Sequence, residues 1–123
     1  MVAYATKYKY KQQKYQKFFI MDRIARLKEF LVANPADCFV KHALALEYIK
    51  LEDDATAQRL FEEVLQTDEK YIGSYYHLAK LLERNNDTDG AIAIYEKGMQ
   101  KAKEKGDNHA FSELRSAYED LTF

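Results

Sequence analysis

With 123 residues, 47% of them hydrophobic, the chain is long enough for one domain and too short for two comfortable ones, and one Pro with four Gly argues for helices joined by short turns. The net charge of −1 hides a division: residues 1–20 hold five Lys and no acid, which leaves 14 basic and 20 acidic side chains, net −6, for residues 21–123. An acidic body disfavours nucleic acid as a partner, a single Cys excludes an internal disulfide and fits a reducing, cytoplasmic setting, and the absence of an 18-residue apolar run excludes a membrane-spanning helix.

Residues 1–20 are dominated by Lys, Tyr, Gln and Phe. The composition predicts a disordered basic, aromatic extension, with Met21 placed to serve as a first residue ahead of the amphipathic pattern. Two alternatives stand beside it. Lys interleaved with aromatic residues suits contact with nucleic acid or an anionic surface, and Tyr4, Tyr8, Tyr15 and Phe18 sit at near-helical spacing with no helix breaker before Asn34, which suits a packed helix.

From Met21 to Ala33 the apolar residues Ile24, Leu27, Phe30 and Leu31 recur at three and four, one stripe of a helix. Asn34-Pro35 stops it, and Asn34 as cap with Pro35 at the first helical position opens a second helix, about Ala36 to Lys50. Glu52-Asp53-Asp54 make a turn, Asp54 caps, and Ala55 to Gln66 return with Leu60, Phe61, Val64 and Leu65 inward. Thr67-Asp68 open a helix over about Lys70 to Arg84. Asn85 to Thr88 form a tight turn in which Asn tolerates the left-handed conformation. Gly90 to Lys105 is the next helix, ended by Gly106, and Asp107 caps a last one whose stripe is Ala110, Phe111, Leu114, Ala117, Tyr118 and Leu121.

Two of these helix pairs are one unit written twice. Laying Cys38–Tyr71 over Ile72–Lys105 at a 34-residue offset puts Leu44-Ala45 on Leu78-Ala79, Tyr48 on Leu82, Ala57 on Ala91, Phe61 on Tyr95 and Leu65 on Met99. Small residues at fixed places, with large apolar ones three or four positions away, are what two packed antiparallel helices require.

L-A-x-x-Y followed by A-x-x-x-F at this period resembles the tetratricopeptide repeat (TPR), whose pattern is L-G-x-x-Y, A-x-x-x-F and a later Pro. The second unit matches as L-A-x-x-L and A-x-x-x-Y. Both units depart from the pattern at the Trp position (Lys41, Tyr75) and at the Pro position (Glu69, Lys103), whereas Pro35 falls on the Pro position of a preceding half unit. The resemblance implies an all-α fold, a short right-handed α-solenoid of antiparallel helix pairs with about six helices. It divides residues 21–121 into a half repeat 21–37, repeats 38–71 and 72–105, and a capping helix 107–121.

No phosphate-cradling Gly loop, H-E-x-x-H, G-x-S-x-G or paired-Cys motif occurs, so the expectation is a binding module with no catalytic residues, no metal and no cofactor. Cys38 and His42 share a helix face and His77 holds nearly the same place one repeat later, three zinc-type ligands where structural zinc sites take four. The plainer reading is a small buried thiol and two groove-lining histidines.

In the TPR family the first helix of each repeat forms an inner, concave face. The resemblance therefore implies a partner-binding face of Phe39, His42, Leu46 and Ile49 from the first unit and Tyr76, His77, Lys80 and Arg84 from the second. Lys80 and Arg84 add positive potential that suits an acidic or C-terminal carboxylate peptide. The Lys-and-Asn carboxylate clamp of chaperone-binding TPRs is absent, its positions being His42, Leu46, His77, Asp107 and Phe111. The expected partner is a protein or peptide, with a second copy of the chain as the alternative occupant of the same apolar residues, and no membrane.

Overall fold

The computed structural model describes the backbone of residues 2–123 and the side chains of residues 13–123. Six helices follow one another: α1 (Val2–Ala33), α2 (Cys38–Lys50), α3 (Asp54–Thr67), α4 (Gly73–Arg84), α5 (Thr88–Lys105) and α6 (Asn108–Thr122). Each packs mainly on its neighbours in sequence, α2 with α3 and α4 with α5 being the repeat pairs and α6 closing on α5. The result is an all-α helical-repeat solenoid.

The seams are built as the register requires. Ala45, Ala57, Ala79 and Ala91 are all fully buried, and small side chains at those crossings let the backbones approach while Phe61 and Tyr95, also at 0% exposure, fill the space beside them. Gly98 takes this further, since a Cβ there would lie 2.7 Å from the Tyr75 Cβ. Tyr75 is buried, 1% exposed, with its hydroxyl donating to the Glu69 carbonyl at 2.7 Å. The Tyr95 hydroxyl donates to the Glu83 carboxylate, so no buried side-chain polar atom among the described residues lacks a partner.

Helix ends follow the expected chemistry with shifts of one to three residues. Asp37, not Asn34, caps α2, accepting from the Val40 N–H at 3.0 Å; Asn34 instead closes α1 through its own N–H to Phe30 O, and Pro35-Ala36 make the turn between. Asp53, not Asp54, caps α3, taking both the N–H and the hydroxyl of Thr56 (3.2 and 2.8 Å). Asp68 spends its carboxylate on the Lys70 N–H in the connecting turn, so α4 begins only at Gly73. Glu52 (φ 61°), Asn86 (φ 64°) and Gly106 (φ 76°) occupy the left-handed positions among the described residues, and Asp107 caps α6.

The first helix differs most from expectation. Residues 2–20, for which composition predicts an unstructured extension, continue the helix of residues 21–33 without a break. No Gly or Pro precedes Pro35 to interrupt it. The side chains of residues 1–12 lie outside the described ones, and those of residues 13–19 are all exposed. α1 meets the body through Ile20, Ile24, Leu27 and Leu31, while Phe30, expected on that stripe, is 62% exposed because it lies about 90° around the helix from the packed residues. Among the described residues no helix is long and apolar enough to cross a membrane.

Candidate functional site

The face formed by α2, α4 and α6 carries a row of rings set by the repeat offset. His42 on α2 and His77 on α4 occupy near-equivalent places in the two units, and their ring centroids lie 5.6 Å apart. His77 stacks on Phe61 (5.8 Å, 10° between planes) and meets Tyr76 edge-on at 5.5 Å. The Lys80 ammonium sits 5.7 Å over the Tyr76 ring, a cation–π placement that leaves its charge at the surface.

His42 is the most constrained member. Its Nδ1 is 2.8 Å from the Ser74 hydroxyl, which is itself fully buried, so the imidazole satisfies a hydroxyl that water does not reach. Burial, then the neighbouring His77 ring, push the His42 pKa down to about 4. Burial likewise lowers that of His77, opposed by the Glu113 carboxylate. Both rings are therefore neutral at pH 7 and behave as aromatic walls with a hydrogen-bonding edge. A Ser beside a His suggests nucleophile chemistry, but an inaccessible hydroxyl cannot meet a substrate. Cys38 turns its thiol to the carbonyls of Ala36 and Val64, each at 3.8 Å, and among the described residues no three His, Cys, Asp or Glu gather as a metal would need.

Two depressions open on either side of this row. One, about 650 Å³, lies between α1, α2 and α4 and is lined by Phe19, Ile20, Arg23, Leu46, Glu47, Ile49 and His77 among others. The other, about 410 Å³, lies between α4 and α6 and is lined by Tyr76, Lys80, His109, Glu113, Ser116 and Asp120 among others. Of the residues expected on a binding face, His42, Tyr76, His77 and Lys80 are thus brought together, and Leu46 and Ile49 line the adjoining depression. Phe39 stands apart, 70% exposed at the start of α2. Arg84 is turned from the row into a two-pronged ion pair with Asp54 (2.9 and 2.6 Å), which holds the Asp54 carboxyl below its usual range.

The repeat pattern missed the contributions of α1 and α6. Glu47 on α2 is buried, its side chain 5% exposed, and is held by Arg23 from α1 at 2.9 Å and by Lys50 at 3.2 Å. A lone carboxylate inside the apolar run of α2 was the signal for this latch, since a buried charge needs a partner. The α6 residues Glu113 and Asp120 carry no such signal, because they read as the solvated side of a terminal helix.

Comparison with known proteins agrees with this architecture. The family model described as Tetratricopeptide repeat matches residues 48–117. The solution structure of a tetratricopeptide repeat domain protein from Salinibacter ruber is 44% identical, with a TM-score of 0.68 over 71% of this chain and 88% of that one. The TPR2B domain of yeast Sti1, solved as a pHsp70 complex, is 14% identical with a TM-score of 0.78 over 90% of this chain and 89% of that one. PcrH, solved with the chaperone-binding region of PopD, is 16% identical with a TM-score of 0.78 over 94% of this chain and 87% of that one. No curated protein matches the chain. With 70 of its 123 residues under the family model and a repeat-domain relative at 44% identity, the chain belongs to the tetratricopeptide-repeat family.

Proposed function

We propose that this protein is a non-catalytic interaction module, working in the cytoplasm, that holds a peptide or protein segment against the face of α2, α4 and α6. The observation that carries the reading is the continuous row His42, His77, Tyr76 and Lys80 across two repeats, with a depression on each side. Rigid rings anchored on packed helices lose little entropy when a ligand arrives, and Tyr is a frequent anchor in interfaces. Leu46 and Ile49 supply apolar contact on the α1 side, whereas Phe39 and Arg84 stand at the ends of the face as outer contacts. Structural neighbours were solved holding protein segments, PopD in PcrH and pHsp70 in Sti1, which supports the general mode. The positions that the resemblance assigns to a carboxylate clamp carry His42, Leu46, His77, Asp107 and Phe111, so the proposal does not include clamp-type binding.

The test is selection of binding peptides from a displayed library against the full chain, followed by fluorescence anisotropy of a selected peptide. Tyr76→Ala should weaken binding at least about tenfold, mostly through a faster off-rate, and Lys80→Glu should shift affinity according to the charge of the selected peptide, with the helical circular dichroism unchanged in both. Selected peptides whose affinity ignores both substitutions would place the binding face elsewhere.

A further inference from the structure

Helix α1 carries two apolar stripes that face different ways. At about 100° per residue, Tyr15, Phe18 and Phe19 lie roughly 160° around the helix from the stripe of Ile20, Ile24, Leu27 and Leu31 that packs on the body. These three rings are 55%, 66% and 68% exposed and frame a shallow depression with Lys14. Three exposed rings set together on one side of a helix offer an interaction surface.

The chain's own body leaves these rings largely uncovered, Phe19 alone reaching the rim of the depression beside α2. Residues 2–34 contain no Gly or Pro to bend the helix, and residues 2–19 carry it about 27 Å past Ile20 at about 1.5 Å per residue. The cover must come from outside, and charge selects it. The arm of residues 1–20 has five Lys and no acid, while the remaining residues, with 14 basic and 20 acidic side chains, are net −6. On the binding face, the depression between α4 and α6 gathers the acid: Glu113 and Asp120 lie beside Tyr76 and Ala117. Lys80, the one lysine among the described residues of its lining, is already engaged by Glu83 at 3.5 Å.

We infer that this depression receives the basic aromatic arm of a second copy of the chain. Lysines of the arm lie opposite Glu113 and Asp120, and Tyr15 and Phe18 pack over Tyr76 and Ala117. Exchange of arms in both directions closes a two-fold dimer in which each copy is donor and acceptor. Arm-against-arm pairing is disfavoured, since it places two +5 segments side by side. An anionic lipid surface suits the arm but repels the −6 body. The inference rests on the reading of the α2, α4 and α6 face as the binding face, and it names the occupant.

Sedimentation of the full chain tests it. At about 100 μM and low salt the expected species has twice the 14.4 kDa mass of one chain, and raising salt from about 50 to about 500 mM should weaken the dimer at least about tenfold. A charge swap then tests the contact itself. Lys14→Glu/Lys17→Glu and Glu113→Lys/Asp120→Lys change only exposed side chains, so each variant should keep its helical circular dichroism yet sediment as a monomer. Mixed in equal amounts they should form a heterodimer, because the altered arm meets the altered groove while the native arm meets the native groove. Two variants that still dimerise alone, or a mixture that stays monomeric, would overturn the proposal. So would a monomeric full chain that instead sediments with vesicles of about 30% phosphatidylserine or with nucleic acid, lost in Lys14→Glu/Lys17→Glu. If the chain is monomeric while Tyr76→Ala still abolishes binding of a selected peptide, the groove reading survives and the second copy is excluded as its occupant.

Discussion

Acidification from pH 7 to pH 5 should destabilise the fold through His42. Its ring lies against Phe61, Tyr71 and His77, with centroids at 5.4, 5.3 and 5.6 Å, and protonation there places a charge among rings with little water to solvate it. The folded pKa of about 4 lies below the unfolded value of 6.5, so between those values the unfolded chain binds more protons. The stabilisation is therefore complete above about pH 6.5, declines as pH falls towards about 4, and is gone below that. The full gap bounds the effect at about 3 kcal/mol, of which about 2 kcal/mol is lost by pH 5, and water at the ring's open edge reduces both figures. Urea unfolding followed by circular dichroism at pH 7 and pH 5 measures it, with His42→Gln as the control that keeps an amide for Ser74 and does not titrate. Wild type should lose about 1–2 kcal/mol more than the variant over this interval. Equal losses, or a His42 ring proton titrating near pH 6.5 by NMR, would refute the assigned environment.

Ala79 is fully buried at a helix crossing, so Ala79→Leu should overpack it and cost about 1–3 kcal/mol in chemical denaturation, whereas Lys80→Leu one residue on should change stability by less than about 0.5 kcal/mol; equal effects would sink the register. Gly98→Ala should raise helix propensity by about 1 kcal/mol and still destabilise on balance by about 1–2 kcal/mol, because its Cβ would meet the Tyr75 Cβ at 2.7 Å and Leu114 Cδ1 at 3.1 Å, neither able to swing away freely. A stabilised variant would mean that α4 and α5 are farther apart than described. Arg84→Ala should cost no more than about 1 kcal/mol in thermal melts, since the pair with Asp54 is half exposed, and it should let the Asp54 carboxyl titrate at higher pH by NMR.

The repeat was legible in the sequence because both its signals are local or periodic. Ala45, Ala57, Ala79 and Ala91 recur at the offset of the helix pairs, and each proves fully buried; small size at a crossing is a property of the residue and its spacing alone. Caps were legible in kind but not in place: Asp37 and Asn34, or Asp53 and Asp54, are equivalent as residue types, and the backbone path through the turn decides which carboxylate reaches an N–H three residues on. His42 and His77 were readable as neighbours from the offset, though their neutrality at pH 7 follows from burial, which spacing does not encode. Only the tertiary structure decided that Arg84 belongs to Asp54, thirty residues away, that Arg23 latches onto Glu47, and that Tyr15, Phe18 and Phe19 of α1 stay exposed. Each of these depends on how one helix is rotated and inclined on the next, an angle set by side chains interlocking from distant parts of the chain and therefore written in no single stretch of it.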